Sequence, residues 1–233
     1  MSFGCAESGP YYQYPMFAPR LDILPPPQRL LWHELSLMPP HFTLYGGTAV
    51  ALRLGHRQSV DFDFFSFEPF APIALLNEIP FLRGAELVQS AANTLTCRID
   101  RDGPVQVSFF GGLSLGQVER PETTSDSGVH VASLADLGGM KVAVVTQRAE
   151  TRDYIDIHAM MGSGLSLPHM LAAAEIIYGS QFNALVALKA LAYHDDLSPT
   201  RLPSNIRWDL ARAVKAVDLQ SLPILTPLRR RPQ

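Results

Sequence analysis

The chain has 233 residues, 47% of them hydrophobic, and a formal net charge of −3. That size and apolar share suit one globular domain, or a domain with a small helical extension, with a core that needs no covalent staples. The slightly acidic balance argues against broad non-specific nucleic-acid binding, though a local basic patch is compatible with it.

Residues 1–27 are rich in proline and tyrosine, including Pro10, Tyr11, Tyr12, Tyr14, Pro15, Pro19 and Pro25 to Pro27. Proline cannot donate to a ladder, so this segment reads as an irregular N-terminal arm. Gln28 to Leu37 has helical spacing, with Leu30, Leu31, Leu35 and Leu37 on or near one face, and Pro39-Pro40 ends it. Phe42 to Tyr45 is a short strand that runs into Gly46-Gly47. Thr48 to Leu54 reads as a helix stopped by Gly55. Asp61 to Phe67 is a strand and Ile73 to Ile79 a helix. Glu86 to Gln89, Thr94 to Ile99 and Val105 to Phe110 are strands, the last two joined by a turn at Asp102-Gly103. Gly111 to Asp126 reads as a loop and Val129 to Val131 as a strand. Ser133 caps a helix expected to reach about Arg148, and Thr151 opens another. Further helices are expected over Pro168 to Tyr178, Phe182 to Tyr193 and Asn205 to Val217. Arg229-Arg230-Arg231-Pro232 reads as a disordered tail. A β–α start, then hairpin-like strands, then helices predict an α+β fold. The expected divisions are a core over 28–162, a helical portion over 163–225 and a basic tail over 226–233.

Two constellations carry chemistry. Along a strand, side chains alternate between faces, so Asp61 and Asp63 point one way while Phe62 and Phe64 enter the core. Adjacent carboxylates repel unless a cation lies between them, and oxygen-only ligands favour a hard ion such as Mg2+. Upstream, Gly46, Gly47 and Thr48 allow close backbone approach and offer helix-start amides to a phosphate. Taken singly, a D-x-D is usually solvated charge at a strand end, and a GGT a tight turn with a helix cap. Together they suggest a nucleotide–metal site. In the second constellation, Lys141 and Arg148 lie two helical turns apart, and Asp153 and Asp156 share a face of the next helix. A lysine facing the D-x-D strand can neutralise phosphate charge. The plainer alternatives are helix capping by Asp153 and an ordinary surface ion pair for Arg148.

The stretch GGTAVALRLGHRQSVDFDFF, residues 46–65, resembles the nucleotidyltransferase motif of the polymerase-beta-like superfamily. More narrowly it is similar to the AbiEii/AbiGii toxin family, whose members read roughly GGTALAL-x-GHR-x-S-x-D-x-D-FF. The segment Ser133 to Asp156 extends the likeness through Lys141, Arg148, Arg152, Asp153 and Asp156, so that it covers roughly residues 26–162. The resemblance implies a polymerase-beta-like core, a small mixed sheet with flanking helices, followed by C-terminal helices. It implies Mg2+-dependent transfer of a nucleoside monophosphate from an NTP to an acceptor hydroxyl, with pyrophosphate released. Asp61 and Asp63 would hold Mg2+, and Gly46, Gly47, Thr48 and Arg57 would cradle the outer phosphates. Lys141 would neutralise charge, Arg148 and Asp153 would help bind the nucleotide, and Asp156 or Asp153 would serve the acceptor. Asp156 is expected to point toward Asp61, Asp63 and Lys141, with Asp153 the lesser contributor. The family further implies the toxin half of a bacterial toxin–antitoxin or phage-defence system, a separately encoded antitoxin, and tRNA or another RNA as acceptor.

One departure matters. Many members of the superfamily carry a third carboxylate on a later strand, where this chain has Gln106 and Ser108. That keeps open a nucleotide- or partner-binding protein without turnover, and a transferase acting on small molecules such as antibiotics. His56 adjoins Arg57 in the motif and is a candidate phosphate contact. The other histidines show no metal-ligand spacing, and C-x-x-C, nucleophile-elbow and P-loop lysine motifs are absent. Cys5 and Cys97 are too few for a disulfide framework and suit a reducing compartment. With no apolar run of membrane-spanning length and no cationic signal-peptide start, a cytoplasmic protein without a membrane partner is expected.

Overall fold

The computed structural model describes residues 15–193 and 202–231. Its centre is a mixed sheet whose eight strands run in the order β1-β7-β8-β2-β3-β6-β5-β4. The strands are β1 (Met16–Phe17), β2 (Thr43–Tyr45), β3 (Asp61–Phe65), β4 (Glu86–Ala91), β5 (Thr94–Asp100), β6 (Pro104–Phe110), β7 (Glu122–Thr124) and β8 (His130–Val131). Helices α1 (Pro26–Trp32), α2 (Gly46–Leu54), α3 (Pro72–Glu78), α4 (Leu134–Val144) and α5 (Thr151–Gly162) flank it. Helices α6 (Leu167–Tyr178), α7 (Ala184–Ala192) and α8 (Ser204–Ala216) follow. The α+β class expected from the element order is the class observed.

β3 is the strand that positions everything else. It pairs antiparallel with β2 and parallel with β6. Its phenylalanines alternate into the core: Phe62 and Phe64 are fully buried, Phe62 beside Trp32 and Phe64 stacked on Phe109. Burying rings of this size stabilises by about 2 kcal/mol each. That burial fixes the register, because a slip by one residue would drive Asp61 and Asp63 into the core.

Several elements differ from expectation for local reasons. α1 begins at Pro26, since proline's fixed φ and missing N–H suit a first helical turn, and its last turns tighten to a 3-10 helix over His33–Leu37. β1 lies in the stretch expected to be irregular, and β7 in the expected loop. With two and three residues, neither strand carries a readable period. α4 stops at Val144, short of Arg148. The run Val144-Val145-Thr146 is β-branched, and the Thr146 hydroxyl donates to the Ala143 carbonyl at 2.7 Å, which favours a turn over another helical step. Residues 229–231, expected as a disordered tail, lie against the domain. Arg229 and Gln117 exchange backbone hydrogen bonds, and the Arg229 guanidinium sits 4.0 Å over the Phe67 ring. Arg231 donates to the Tyr178 carbonyl at 2.5 Å. Residues 1–14 of the expected arm and Pro232 of the tail lie outside the described residues.

The C-terminal helices pack onto the sheet-flanking ones. α6 runs along α4. The Tyr154 hydroxyl of α5 donates to the Ala190 carbonyl of α7 at 3.1 Å, and His158 of α5 meets Asp209 of α8 at 3.0 Å. Among the described residues, no helix is long and apolar enough to cross a membrane.

Candidate active site

The site starts where β2 turns into α2. Gly46 has φ +74, and a Cβ there would lie 2.7 Å from Asp63 Oδ2. Both facts require glycine, and they bring the start of α2 against the β3 carboxylates. A Cβ on Gly47 would collide with the Arg57 guanidinium. No side chain caps this helix start, so its first amides keep their hydrogen-bonding capacity. α2 ends at Gly55, whose φ of 67 supplies the left-handed stop. The Thr48 side chain turns inward, 2.7 Å from the Ser59 hydroxyl and donating to the Asp61 carbonyl. It ties α2 to β3, so its hydroxyl is committed within the protein.

β6 lies beside β3 with Asp61 opposite Gln106 and Asp63 opposite Ser108. The neighbouring strand therefore offers an amide and a hydroxyl where a third carboxylate would stand. Burial raises the Asp63 pKa and the Asp61 charge raises it further, against a Ser108 hydrogen bond and the positive charges of Lys141 and Arg148.

The α5 carboxylates are placed quite differently. Asp156 is 0% exposed. Its oxygens meet Arg57 Nε at 2.6 Å and Nη2 at 2.9 Å, His56 Nε2 at 2.7 Å and Lys141 Nζ at 2.7 Å. Burial alone would raise its pKa. The His56 and Arg57 hydrogen bonds and the charges of Lys141 and Arg57 outweigh burial and hold it well below the usual carboxylate range. Asp153, 1% exposed, accepts from Lys141 at 2.6 Å and from Arg148 Nε at 3.1 Å. Lys141 is itself buried, at 7% exposed, and bridges the two aspartates. His56, read as a phosphate contact, is turned to Asp156 instead.

These elements enclose a cleft of about 230 Å³. Of the residues singled out from sequence, it is lined by Asp61, Asp63, Gly47, Thr48, Arg57, Lys141, Arg148 and Asp153. Gly46 borders the adjoining pocket. Asp156 does not line the cleft; it lies behind Lys141 and Arg57, next to Lys141 as expected, with its oxygens taken up by Lys141, Arg57 and His56. Arg148 is not a second helical turn beyond Lys141, because α4 has ended. It reaches Asp153 from the α4–α5 connection. Glu150 and Arg152 also line the cleft, paired to each other at 3.4 Å. Glu150 was missed from sequence; its only signal is the alternation of charges from Arg148 to Asp153.

The cleft residues comprise four cations (Arg57, Lys141, Arg148, Arg152) and four carboxylates (Asp61, Asp63, Glu150, Asp153). Of these carboxylates, only Asp61 and Asp63 have no ion-pair partner among the described residues. No cluster of three or more metal-ligating side chains occurs among the described residues. Two carboxylates on a rigid strand, mutually repelling and open to a polar cleft, are a donor set that would suit a hard divalent cation.

A family model described as "Nucleotidyl transferase AbiEii toxin, Type IV TA system" matches residues 29–221. The chain is 30% identical over 158 residues to the protein of Aquifex aeolicus (strain VF5) named "Uncharacterized protein aq_aa25", a match spanning 66% of this chain and 74% of that one. Among solved structures, MenT4, a nucleotidyltransferase toxin from Mycobacterium tuberculosis H37Rv, matches with a TM-score of 0.53 at 15% identity, over 83% of each chain. That likeness concerns the fold. The family match takes in both charged constellations and most of the described structure, and the chain belongs to the AbiEii nucleotidyltransferase toxin family of type IV toxin–antitoxin systems.

Proposed function

We propose that this chain moves a nucleoside monophosphate from an NTP to an acceptor hydroxyl, with Mg2+ held by Asp61 and Asp63. The observation that carries the reading is the charge inventory of the cleft. Four cations against four carboxylates leave it neutral as lined, so a polyanionic triphosphate gains little net attraction from the protein alone. With Asp61 and Asp63 neutralised by a divalent ion, the same cleft becomes cationic. When bound, the metal supplies charge neutralisation and orientation of the triphosphate.

The remaining roles belong to the protein's own donors. The uncapped start of α2 at Gly46 and Gly47 takes the outer phosphates. Arg57 spends three of its five N–H groups on Asp156 and the Gln58 carbonyl, which leaves two for phosphate. Lys141 spends two of three on Asp153 and Asp156, leaving one for the transferred phosphoryl group, where charge develops. Asp156 is then a positioning residue, holding Lys141 and Arg57 at the cleft wall, and not the group that takes the acceptor's proton. Asp153 does the same for Lys141 and Arg148. Family membership supports a toxin role and a cognate antitoxin; the acceptor we propose is tRNA or another RNA.

The test is incubation with each labelled NTP and Mg2+, with and without total tRNA. Label entering RNA supports the transferase. Saturable NTP binding without transfer supports a nucleotide-binding protein, the reading that Gln106 and Ser108 opposite the aspartates favour. Label on an added small hydroxyl compound redirects the acceptor to small molecules. Co-expression with the neighbouring gene tests the antitoxin: restored growth of cells producing this chain identifies it.

A further inference from the structure

Transfer to a hydroxyl needs a group that takes the acceptor's proton, and the cleft narrows the choice. Asp61 and Asp63 are committed to the metal in the reading above. Asp156 does not line the cleft. Asp153 lines it but is 1% exposed, held by Lys141 at 2.6 Å and by Arg148 at 3.1 Å. On β6, opposite the strand aspartates, stand the Gln106 amide and the Ser108 hydroxyl, and neither is a base. Among the described residues, no histidine lines the cleft. Glu150 is the remaining cleft carboxylate.

Its local structure leaves that carboxylate available. Glu150 stands at the cap position of α5 with an extended backbone, φ −102 and ψ 124. Its carbonyl accepts from the Asp153 N–H at 2.9 Å, which fixes the main chain at the helix start. The side chain makes no capping hydrogen bond. It lies at the cleft wall, 39% exposed, with Arg148 and Arg152 each at 3.4 Å. Those contacts are long beside the pairs of Asp153 and Asp156, which run from 2.6 to 3.1 Å. Both arginines are more than half exposed, at 52% and 60%. Exposed ion pairs are worth under about 1 kcal/mol, so a carboxylate held in this way turns to a new donor at little cost.

We infer that Glu150 is the general base for the acceptor hydroxyl, an inference that rests on the transferase reading above. Its carboxylate accepts a hydrogen bond from the hydroxyl and takes the proton as the hydroxyl oxygen forms a bond to the α-phosphorus of the NTP. The bond from that phosphorus to the bridging oxygen breaks, and pyrophosphate leaves with the electron pair. The proton then passes from Glu150 to water, which restores the carboxylate. Arg148 and Arg152 hold the side chain at the cleft wall until the acceptor arrives. The α4–α5 connection thereby supplies the carboxylate that β6 lacks.

Glu150→Gln tests this, because the amide keeps the length of the side chain and cannot take a proton. Transfer of labelled nucleotide to total tRNA, at saturating NTP and tRNA, should fall about 100-fold or more. NTP affinity measured by calorimetry in Mg2+ is retained or tightened, since a negative charge leaves the cleft, and the melting temperature is unchanged. Glu150→Ala loses transfer to the same extent, and added sodium formate restores part of it by supplying a carboxylate to the vacated space. Transfer at the wild-type rate in Glu150→Gln overturns the inference and leaves the transferase reading standing. A loss of rate matched by weakened NTP binding, or a loss in Glu150→Ala that formate leaves untouched, makes Glu150 a brace for Arg148 and Arg152 and overturns its assignment as base. A wild-type chain that binds NTP and labels neither total tRNA nor a small hydroxyl compound overturns both readings.

Discussion

Four aspartates meet at this site, two on a strand and two on a helix. On α5, Asp153 and Asp156 are sealed from solvent, and each is held by at least two cations. On β3, Asp61 and Asp63 face the cleft without an ion-pair partner among the described residues. All four belong to motifs of similar appearance in the sequence, yet their electrostatic situations are opposite. A buried carboxylate surrounded by cations stabilises the fold only while every partner is present, because removing one leaves an uncompensated buried charge. Two carboxylates side by side on one face of a strand, with no cation between them, repel each other and add nothing to the stability of the chain. They are a standing cost that a bound cation removes. The helix pair builds the wall, and the strand pair is the one proposed to hold the metal.

Breaking the helix pair should have the largest effect on stability. Asp156→Asn keeps the shape and removes the charge that faces His56, Arg57 and Lys141. The expected loss is about 3–5 kcal/mol, or a fall in melting temperature of about 10 °C for a chain of this size. A melting temperature within a degree or two of wild type would remove the distinction between the two pairs. Lys141→Met comes next, since Asp153 keeps Arg148, and Asp156 keeps Arg57 and His56. A loss of about 3 kcal/mol is expected, together with loss of transfer. Had this lysine been exposed, the loss would have stayed under about 1 kcal/mol. A double-mutant cycle between positions 141 and 156 should return a coupling of about 1–3 kcal/mol; simple additivity would contradict the buried bridge.

The two pairs also predict opposite responses to pH. Asp156 is held below the ordinary carboxylate range, so the unfolded chain takes up its proton first as acidity rises. Its stabilisation is complete above about pH 4 and is lost as pH falls from there toward its folded pKa. Urea unfolding at a series of acidic pH values should show a steeper decline in wild type than in Asp156→Asn. Asp63 is raised, so its ionisation works against folding, and that penalty is relieved as pH falls through its folded pKa. Asp63→Asn should accordingly raise stability near neutral pH, by a few tenths to about 1 kcal/mol, while Mg2+-dependent NTP binding disappears. A destabilised Asp63→Asn chain would mean that this carboxylate has a structural partner. The smallest effect is expected at Arg152, 60% exposed and, among the described residues, ion-paired with Glu150 at 3.4 Å. Arg152→Ala should change stability by less than about 1 kcal/mol in thermal melts.

What the sequence by itself determined is whatever short-range rules reach. The alternation of Asp61, Phe62, Asp63 and Phe64 assigns faces from the two-residue period of a strand, and burial of the phenylalanines enforces it. Gly55 marks the end of α2 because a left-handed residue is needed there, and Ser133 marks the start of α4 through its own hydroxyl. The nearness of the GGT corner to the D-x-D strand follows from the few residues between them. The tertiary structure alone decided what the second constellation does. Arg57 and Asp156 are 99 residues apart, and no periodicity brings them together or reports that Asp156 ends buried under four donors. Seven residues between Lys141 and Arg148 imply a shared face only if the helix continues, and the Thr146 hydroxyl helps decide that it does not. Exposure separates a carboxylate left open to the cleft from one that props up its wall, and exposure is set by long-range packing of groups whose identities look alike in the chain.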